Sequence, residues 1–117
     1  MDTNPNRWFA AGCAVGLALC GAAHAAGVSD DVVRIGVLSD MSGLYADTSG
    51  KGSVEAARMA IQDFGGTVLG KKIDLVWADH QNKADIGASH ARNWFDREGV
   101  DLILNLNNSS VAVALNS

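Results

Sequence analysis

Short apolar, β-branched runs alternate with longer segments whose apolar residues recur at helical spacing, and this alternation restricts the fold more than any other feature of the chain. "VVRIGVLSD" reads as a strand over Val32–Ser39, interrupted by Arg34 and Gly36. "VEAARMAIQDF" (54–64) puts Val54, Ala57, Ile61 and Phe64 on one helical face and Glu55, Arg58 and Gln62 on the other. Ser53 stands where a cap belongs, and Gly65 and Gly66 where a stop belongs. "KIDLVWA" then alternates Ile73, Leu75 and Trp77 against Asp74, Val76 and Ala78, the pattern of a second strand. "DHQNKAD" opens a second helix, with Asn82 and Asp85 at capping-box spacing. Ala84, Ala88, Ala91 and Phe95 form its expected buried stripe, and Gly99 ends it. "DLILNL" is the third strand, and a third helix is expected from Ser110.

The order β-α-β-α-β-(α) specifies an α/β fold with a parallel sheet, because each return of the chain to the same end of the sheet needs a crossover helix. With strand order 2-1-3 the two helices cover opposite faces. The third strand is then left as an apolar edge, open to aggregation.

The first 25 residues carry a different message. "MDTNPNR" is a short polar start with one cation, "WFAAGCAVGLALCGAA" is apolar or small throughout, and "AHA" supplies small residues before a cut after Ala25. This is the pattern of a cleaved export signal, and the apolar stretch is too short for a comfortable membrane span. "LALC" has the outline of a lipoprotein signal, but Leu19 is bulky where such signals carry a small residue, so cleavage is preferred over lipidation. Both cysteines, Cys13 and Cys20, fall in this segment, so residues 26–117 hold no disulfide and no thiolate chemistry. Asp2 and Arg7 cancel, leaving the remainder at the chain's net charge of −4. A mildly acidic chain without a basic stripe argues against nucleic acid as a partner. Export, no disulfides and mild acidity suit the bacterial periplasm.

In an open parallel sheet, ligands bind beyond the carboxyl ends of the strands. Three loops meet that condition: "SDMSGLYADTSG", "ADHQNK" and "NLNNSS". The first and third suit an anion. Ser42, Ser109 and Ser110 carry hydroxyl donors, Ser110 stands at the start of a new helix where backbone N–H groups lack partners, and Tyr45 adds an aromatic surface. The same residues can equally well satisfy turns, with Ser110 capping its own helix.

Enzyme signatures fail when tested. "GLYADTSGKGS" departs from a phosphate-binding loop twice: Gly52 follows Lys51, and Tyr45 occupies the first glycine position. No dinucleotide fingerprint joins the first strand to the first helix, so no cofactor is expected. His80 and His90 lack metal-ligand spacing. His80 beside Asp79 could form an acid–base pair, but the simpler reading makes Asp79 a turn former and His80 a rim residue. Asp40 invites comparison with a phospho-acceptor, which response regulators place after the third strand, where this chain has asparagine. Trp77 and Trp94 read as core or half-buried aromatics.

"IGVLSDMSG", "GSVEAARMAIQDFGG", "LGKKIDLVWADHQNK" and "GVDLILNLNNSS", taken together and in this order, make residues 32–117 resemble the type I periplasmic solute-binding proteins of ABC transporters. The likeness is greatest to the leucine/isoleucine/valine-binding type and to relatives that carry small aromatic carboxylates. It implies two α/β lobes that close on a ligand, without catalysis. It also implies that Asn108, Ser109 and Ser110 hold the ligand's carboxylate, and that Ser42 and Tyr45 line the same cleft. Family members often have proline after "MSG" and an aromatic a few residues later, where this chain has Leu44 and Tyr45.

The implied partners are a small carboxylate ligand and a membrane permease, with the binding protein acting as a monomer. Such proteins run roughly three times longer, so residues 26–117 are expected to form an incomplete first lobe, the chain being a fragment. A ligand-sensing receptor ectodomain of the same fold is the first alternative, and an exported α/β enzyme using His80 and Asp79 the second.

Overall fold

The computed structural model describes residues 30–117; the expected export signal and its cut after Ala25 lie outside the described residues. β1 (Val32–Ser39) occupies the centre of a four-stranded sheet of order β2-β3-β1-β4, where β2 is Thr67–Val68, β3 is Lys71–Asp79 and β4 is Leu102–Leu104. β1 pairs in parallel with β3 from Val32↔Lys72 to Ser39↔Asp79, and on its other side with β4 from Ile35↔Leu102 to Val37↔Leu104. The three strands read from the sequence therefore lie in the order 2-1-3.

α1 (Gly50–Asp63) and α2 (Ala84–Asn93) cover opposite faces of this sheet, because successive strand residues point to opposite sides. Leu38, Val76, Ala78 and Ile103 face α2 and pack with Ala91, Trp94 and Val100. Ile35, Ile73 and Leu104 face α1 and, with Ala57, Ala60, Ile61 and Phe64, line an apolar groove of about 300 Å³. α3 (Ser109–Leu115) packs on α2.

Gly36 has a packing role. A β-carbon there would lie 2.5 Å from Cζ3 of Trp94, so the tryptophan ring lies directly over the backbone of β1. Gly87 does the same between helices: a β-carbon would meet Val111 Cγ1 at 2.6 Å. Arg34 gathers the opposite end of the sheet. Its guanidinium reaches Asp30, Asp74 and the Glu98 carbonyl, while Asp101 accepts its backbone N–H at 2.8 Å.

Several local expectations are corrected. α1 begins at Gly50 with Ser49 in the cap position, and Ser53 lies in the first turn, where its hydroxyl donates to the Ser49 carbonyl. Asn82 does not cap α2: it has φ 57°, Lys83 precedes the helix, and the Asn82 side-chain oxygen instead accepts from Asn108. The buried stripe of α2 is Gly87, Ala91 and Trp94, whereas Phe95 is 53% exposed. Trp94 starts a widened π-type turn (Trp94–Glu98), which Gly99 closes at φ 63°. Phe64 is 67% exposed, so the stripe of α1 is only partly covered. α3 starts at Ser109, one residue earlier than expected.

The hairpin joining β2 to β3 has no counterpart in the sequence reading. It turns through Leu69 and Gly70, both at positive φ, as a two-residue connection of type I′ requires.

β4 remains an edge, with Leu102 49% and Leu104 38% exposed. Gly36→Ala should lower stability by about 1–3 kcal/mol, because the core must shift to admit the methyl group. A thermal or urea melt checks this, and Trp94→Leu introduced with it should restore part of the loss.

Candidate functional site

The carboxyl ends of β1, β3 and β4 converge, and their loops carry the polar residues singled out in the sequence. Asp40, the residue after β1, is fully buried. Its two carboxylate oxygens accept the backbone N–H of Gly43 at 2.6 Å and of Tyr45 at 3.0 Å. The turn is so tight that a β-carbon on Gly43 would lie 2.7 Å from both oxygens. Asp40 is thus the anchor of its own loop, and its burial takes it away from any phosphate donor.

Asp79 performs the corresponding task at the end of β3. Its Oδ1 accepts Met41 N–H at 2.9 Å and Gln81 N–H at 2.8 Å, so one carboxylate joins the first and second loops. Burial alone would push this carboxyl up. The Ser42 hydroxyl, the Met41 and Gln81 N–H groups and neighbouring His80 outweigh that and hold it below the ordinary aspartate range. The turn-forming role read for Asp79 is the observed one.

His80 overturns the rim expectation, since it is fully buried. Its backbone N–H donates to the Ser39 carbonyl at 2.9 Å. On the ring, Nδ1 accepts Asn82 N–H at 3.0 Å, and Nε2 lies 3.0 Å from Asn107 Oδ1. A backbone N–H can only donate, so Nδ1 is the bare nitrogen and Nε2 carries the proton.

From His80 two chains of hydrogen bonds spread. Asn107 Nδ2 donates to Ser49 Oγ at 2.5 Å, and Ser49 Oγ in turn donates to the Tyr45 carbonyl at 3.0 Å. Asn105, held at φ 64°, donates to Ser39 Oγ at 3.1 Å. On the other branch, Asn82 Oδ1 accepts Asn108 Nδ2. Asn108 Oδ1 then accepts Ser110 N–H at 2.7 Å, Val111 N–H at 3.2 Å and the Ser110 hydroxyl at 2.6 Å. Among the described residues no buried side-chain nitrogen or oxygen is left without a partner.

Each residue singled out in the sequence can now be placed. Ser42 and Tyr45 are exposed in the loop after β1, and Asn108, Ser109 and Ser110 follow β4 at the start of α3. Asn108, rather than Ser110, caps α3, and the Ser110 hydroxyl is turned back onto that cap. Ser109 is exposed, and its hydroxyl makes no hydrogen bond among the described residues. The two loops are joined through Asn107 and Ser49, whereas no hydrogen bond links Ser42 or Tyr45 directly to Asn108, Ser109 or Ser110. The connecting roles of His80, Asn82, Asn107 and Ser49 were missed. The only sequence signal for them was the density of asparagine in the strand-end loops. Among the described residues no group of three or more histidine, cysteine, aspartate or glutamate side chains could hold a metal ion.

Comparison with known proteins gives this arrangement a context. A family model described as periplasmic binding protein matches residues 32–117. The solved structure of a periplasmic binding protein from Burkholderia mallei is 58% identical, with a TM-score of 0.71, over 74% of this chain and 23% of that one. A branched-chain amino acid ABC transporter periplasmic ligand-binding protein from Burkholderia xenovorans LB400 is 55% identical, with a TM-score of 0.69, over 72% of this chain and 22% of its own. A solute-binding protein of an ABC transporter from Rhodopseudomonas palustris BisB5, solved in complex with 3,4-dihydroxybenzoic acid, is 26% identical with a TM-score of 0.65. It matches over 73% of this chain and 23% of that one. The chain therefore spans under a quarter of the length of these relatives. A search of the curated proteins found no match.

Because the Asp79 carboxyl is lowered in the folded chain, its contribution is present above the unfolded value of about 3.9 and is lost as pH falls through the lower folded value. Acid unfolding should therefore steepen below about pH 4. Asp79→Asn should weaken the chain at neutral pH and flatten that acid limb; melts between pH 7 and pH 3 measure both.

Proposed function

The chain belongs to the periplasmic binding protein family, and from that premise we propose that it supplies one wall of the ligand cleft in the solute-binding component of an ABC importer. The cargo proposed is an amino acid or a small aromatic carboxylate. These are the classes that the names of the Burkholderia xenovorans and Rhodopseudomonas palustris relatives bring together. Both classes carry a carboxylate, and the strand-end loops are suited to receive one.

The observation that carries the reading is the treatment of the loop after β4. Asn108 fixes the start of α3 by accepting two of its N–H groups, while Ser109 beside it keeps an exposed hydroxyl. An exposed hydroxyl held beside a fixed cap is a pre-arranged carboxylate contact, one that loses little freedom when the ligand arrives. Asn108, Ser109 and Ser110 are the residues assigned to that contact. Ser42 and Tyr45, exposed across the loop after β1, are assigned to the same cleft. Residues 26–117 are proposed as the mature portion, forming part of a first lobe after export and cleavage at Ala25. A monomeric binding protein would then deliver its cargo to a membrane permease. The solved relatives are binding proteins, two of them named as ligand- or solute-binding proteins of ABC transporters, which favours binding over catalysis.

The 117-residue chain alone should give no saturable heat with branched-chain amino acids or benzoates, since residues on one side of a cleft cannot enclose a ligand. The decisive experiment exchanges residues 32–117 for the matching segment of the Burkholderia mallei protein. The folded chimera should bind a member of one of these two classes, and Ser109→Ala should weaken it by about tenfold, as losing a hydrogen bond to a charged group does. A folded chimera that binds neither class would overturn the proposal.

A further inference from the structure

His80 is a fully buried imidazole to which the binding proposal gives no part, yet both hydrogen-bond branches of the site begin at its ring. One branch runs from Nε2 through Asn107 to Ser49 in the loop after β1. The other runs from Nδ1 through Asn82 to Asn108, the cap of α3. We infer that His80 is the positioning residue of the cleft wall: in its neutral Nε2–H form it sets Asn107 and Asn108, and through them the loop that presents Ser109 and Ser110.

The ring is well suited to this. A planar group with one donor and one acceptor on opposite edges can bridge two loops at a fixed separation. A flexible amide could supply either bond but would have to be held by others. Gly87 of α2 lies beside His80: a β-carbon there would sit 3.6 Å from His80 Cβ, an ordinary contact, and would clash instead with Val111 Cγ1 of α3 at 2.6 Å. The part of α2 beside the histidine is thus an uncharged glycine. The charged groups at the neighbouring strand ends are Asp79, from β3, and Asp40, after β1. Asp79 accepts the N–H groups of Met41 and Gln81, and Asp40 those of Gly43 and Tyr45, so both carboxylates hold turns, and Asp79 is also coupled electrostatically to His80. Lys83 touches the His80 carbonyl only through its backbone N–H.

One consequence separates positioning from mere filling of space. Protonating the ring puts a hydrogen on Nδ1, where the Asn82 N–H now donates, and two donors then face each other. The Asn82–Asn108 branch must open while the Nε2–Asn107 bond survives. The cap of α3 should therefore loosen in acid before the loop after β1 does.

The test uses the full chain without ligand. This inference rests on the proposed ligand role of the Asn108–Ser110 loop, but the loop's order is read independently of binding. A negative result here would leave binding by the chimera untouched, and failed binding would leave this result standing. Nitrogen NMR of the wild-type imidazole should show Nδ1 bare and Nε2 protonated at neutral pH. When acid puts a second proton on the ring, the protection of the Ser110 and Val111 amides, measured relative to their intrinsic exchange at the same pH, should fall about tenfold, the equivalent of one lost hydrogen bond. Gly43 and Tyr45 should change less.

His80→Gln keeps a neutral donor near the Nε2 position. It should preserve the Asn107 branch and remove the pH dependence at Ser110 and Val111, whereas His80→Leu should loosen both branches at every pH. The inference is overturned if the ring carries its proton on Nδ1 at neutral pH. It is equally overturned if the α3 amides ignore pH in the wild type, or if His80→Gln reproduces the wild-type profile. Should either variant fail to fold, the wild-type tautomer and pH profile decide the matter alone.

Discussion

β1 is paired along all of its eight residues to β3 and over part of its length to β4, and every loop of the site springs from the end of this three-stranded core. Parallel pairing brings the carboxyl ends of the strands to the same edge, and with them Ser39, Asp40, Asp79, His80 and Asn105. Displacing β1 by one residue would turn Leu38 out of the α2 core and Asp40 out of its buried turn. Gly36 contributes to holding that register, because only a bare backbone there admits the Trp94 ring. Packing on one face and hydrogen bonding at one end thus fix the same strand position.

At that edge, side chains do the work that main-chain ladders do elsewhere. Strand-end loops leave N–H groups exposed to burial without partners, which costs free energy. Asp40 and Asp79 each satisfy two such groups, and Asn108 satisfies two more at the start of α3. The outcome is a rigid rim whose outward donors are few. That division between holding residues and presenting residues accounts for the exposure of Ser109 beside a heavily bonded neighbour.

The parts of the fold written in periodicity were legible: the bounds of β1, the alternation of strand and helix, the two crossovers and the glycine stop after α1. What escaped the sequence reading depends on contacts between distant residues. Asn82 has good local chemistry for capping α2, but Asn108 competes for its oxygen and the helix starts later. The hairpin before β3 went unread because Leu69, not asparagine or glycine, occupies a left-handed position, and that residue type carries no turn signal. Phe95 and Trp94 exchanged roles because Gly87 offered no apolar side chain by which to phase the stripe. His80 looked like a rim residue because its burial depends on distant parts of the chain, such as Gly87 of α2 beside it and Asn107 after β4. The polar cluster of the site was visible as composition, while its wiring was not.

The strand-end loops act as one pre-arranged wall. Native-state hydrogen exchange of the amides that donate to side chains tests it most directly: Gly43, Tyr45, Met41, Gln81, Asn82, Ser110 and Val111. These amides should be protected about as well as those of β1 and should lose that protection together with it on adding denaturant. Exchange as fast as that of Leu69 at the exposed hairpin turn would show that the loops are ordered independently of the sheet, and would contradict a single wall.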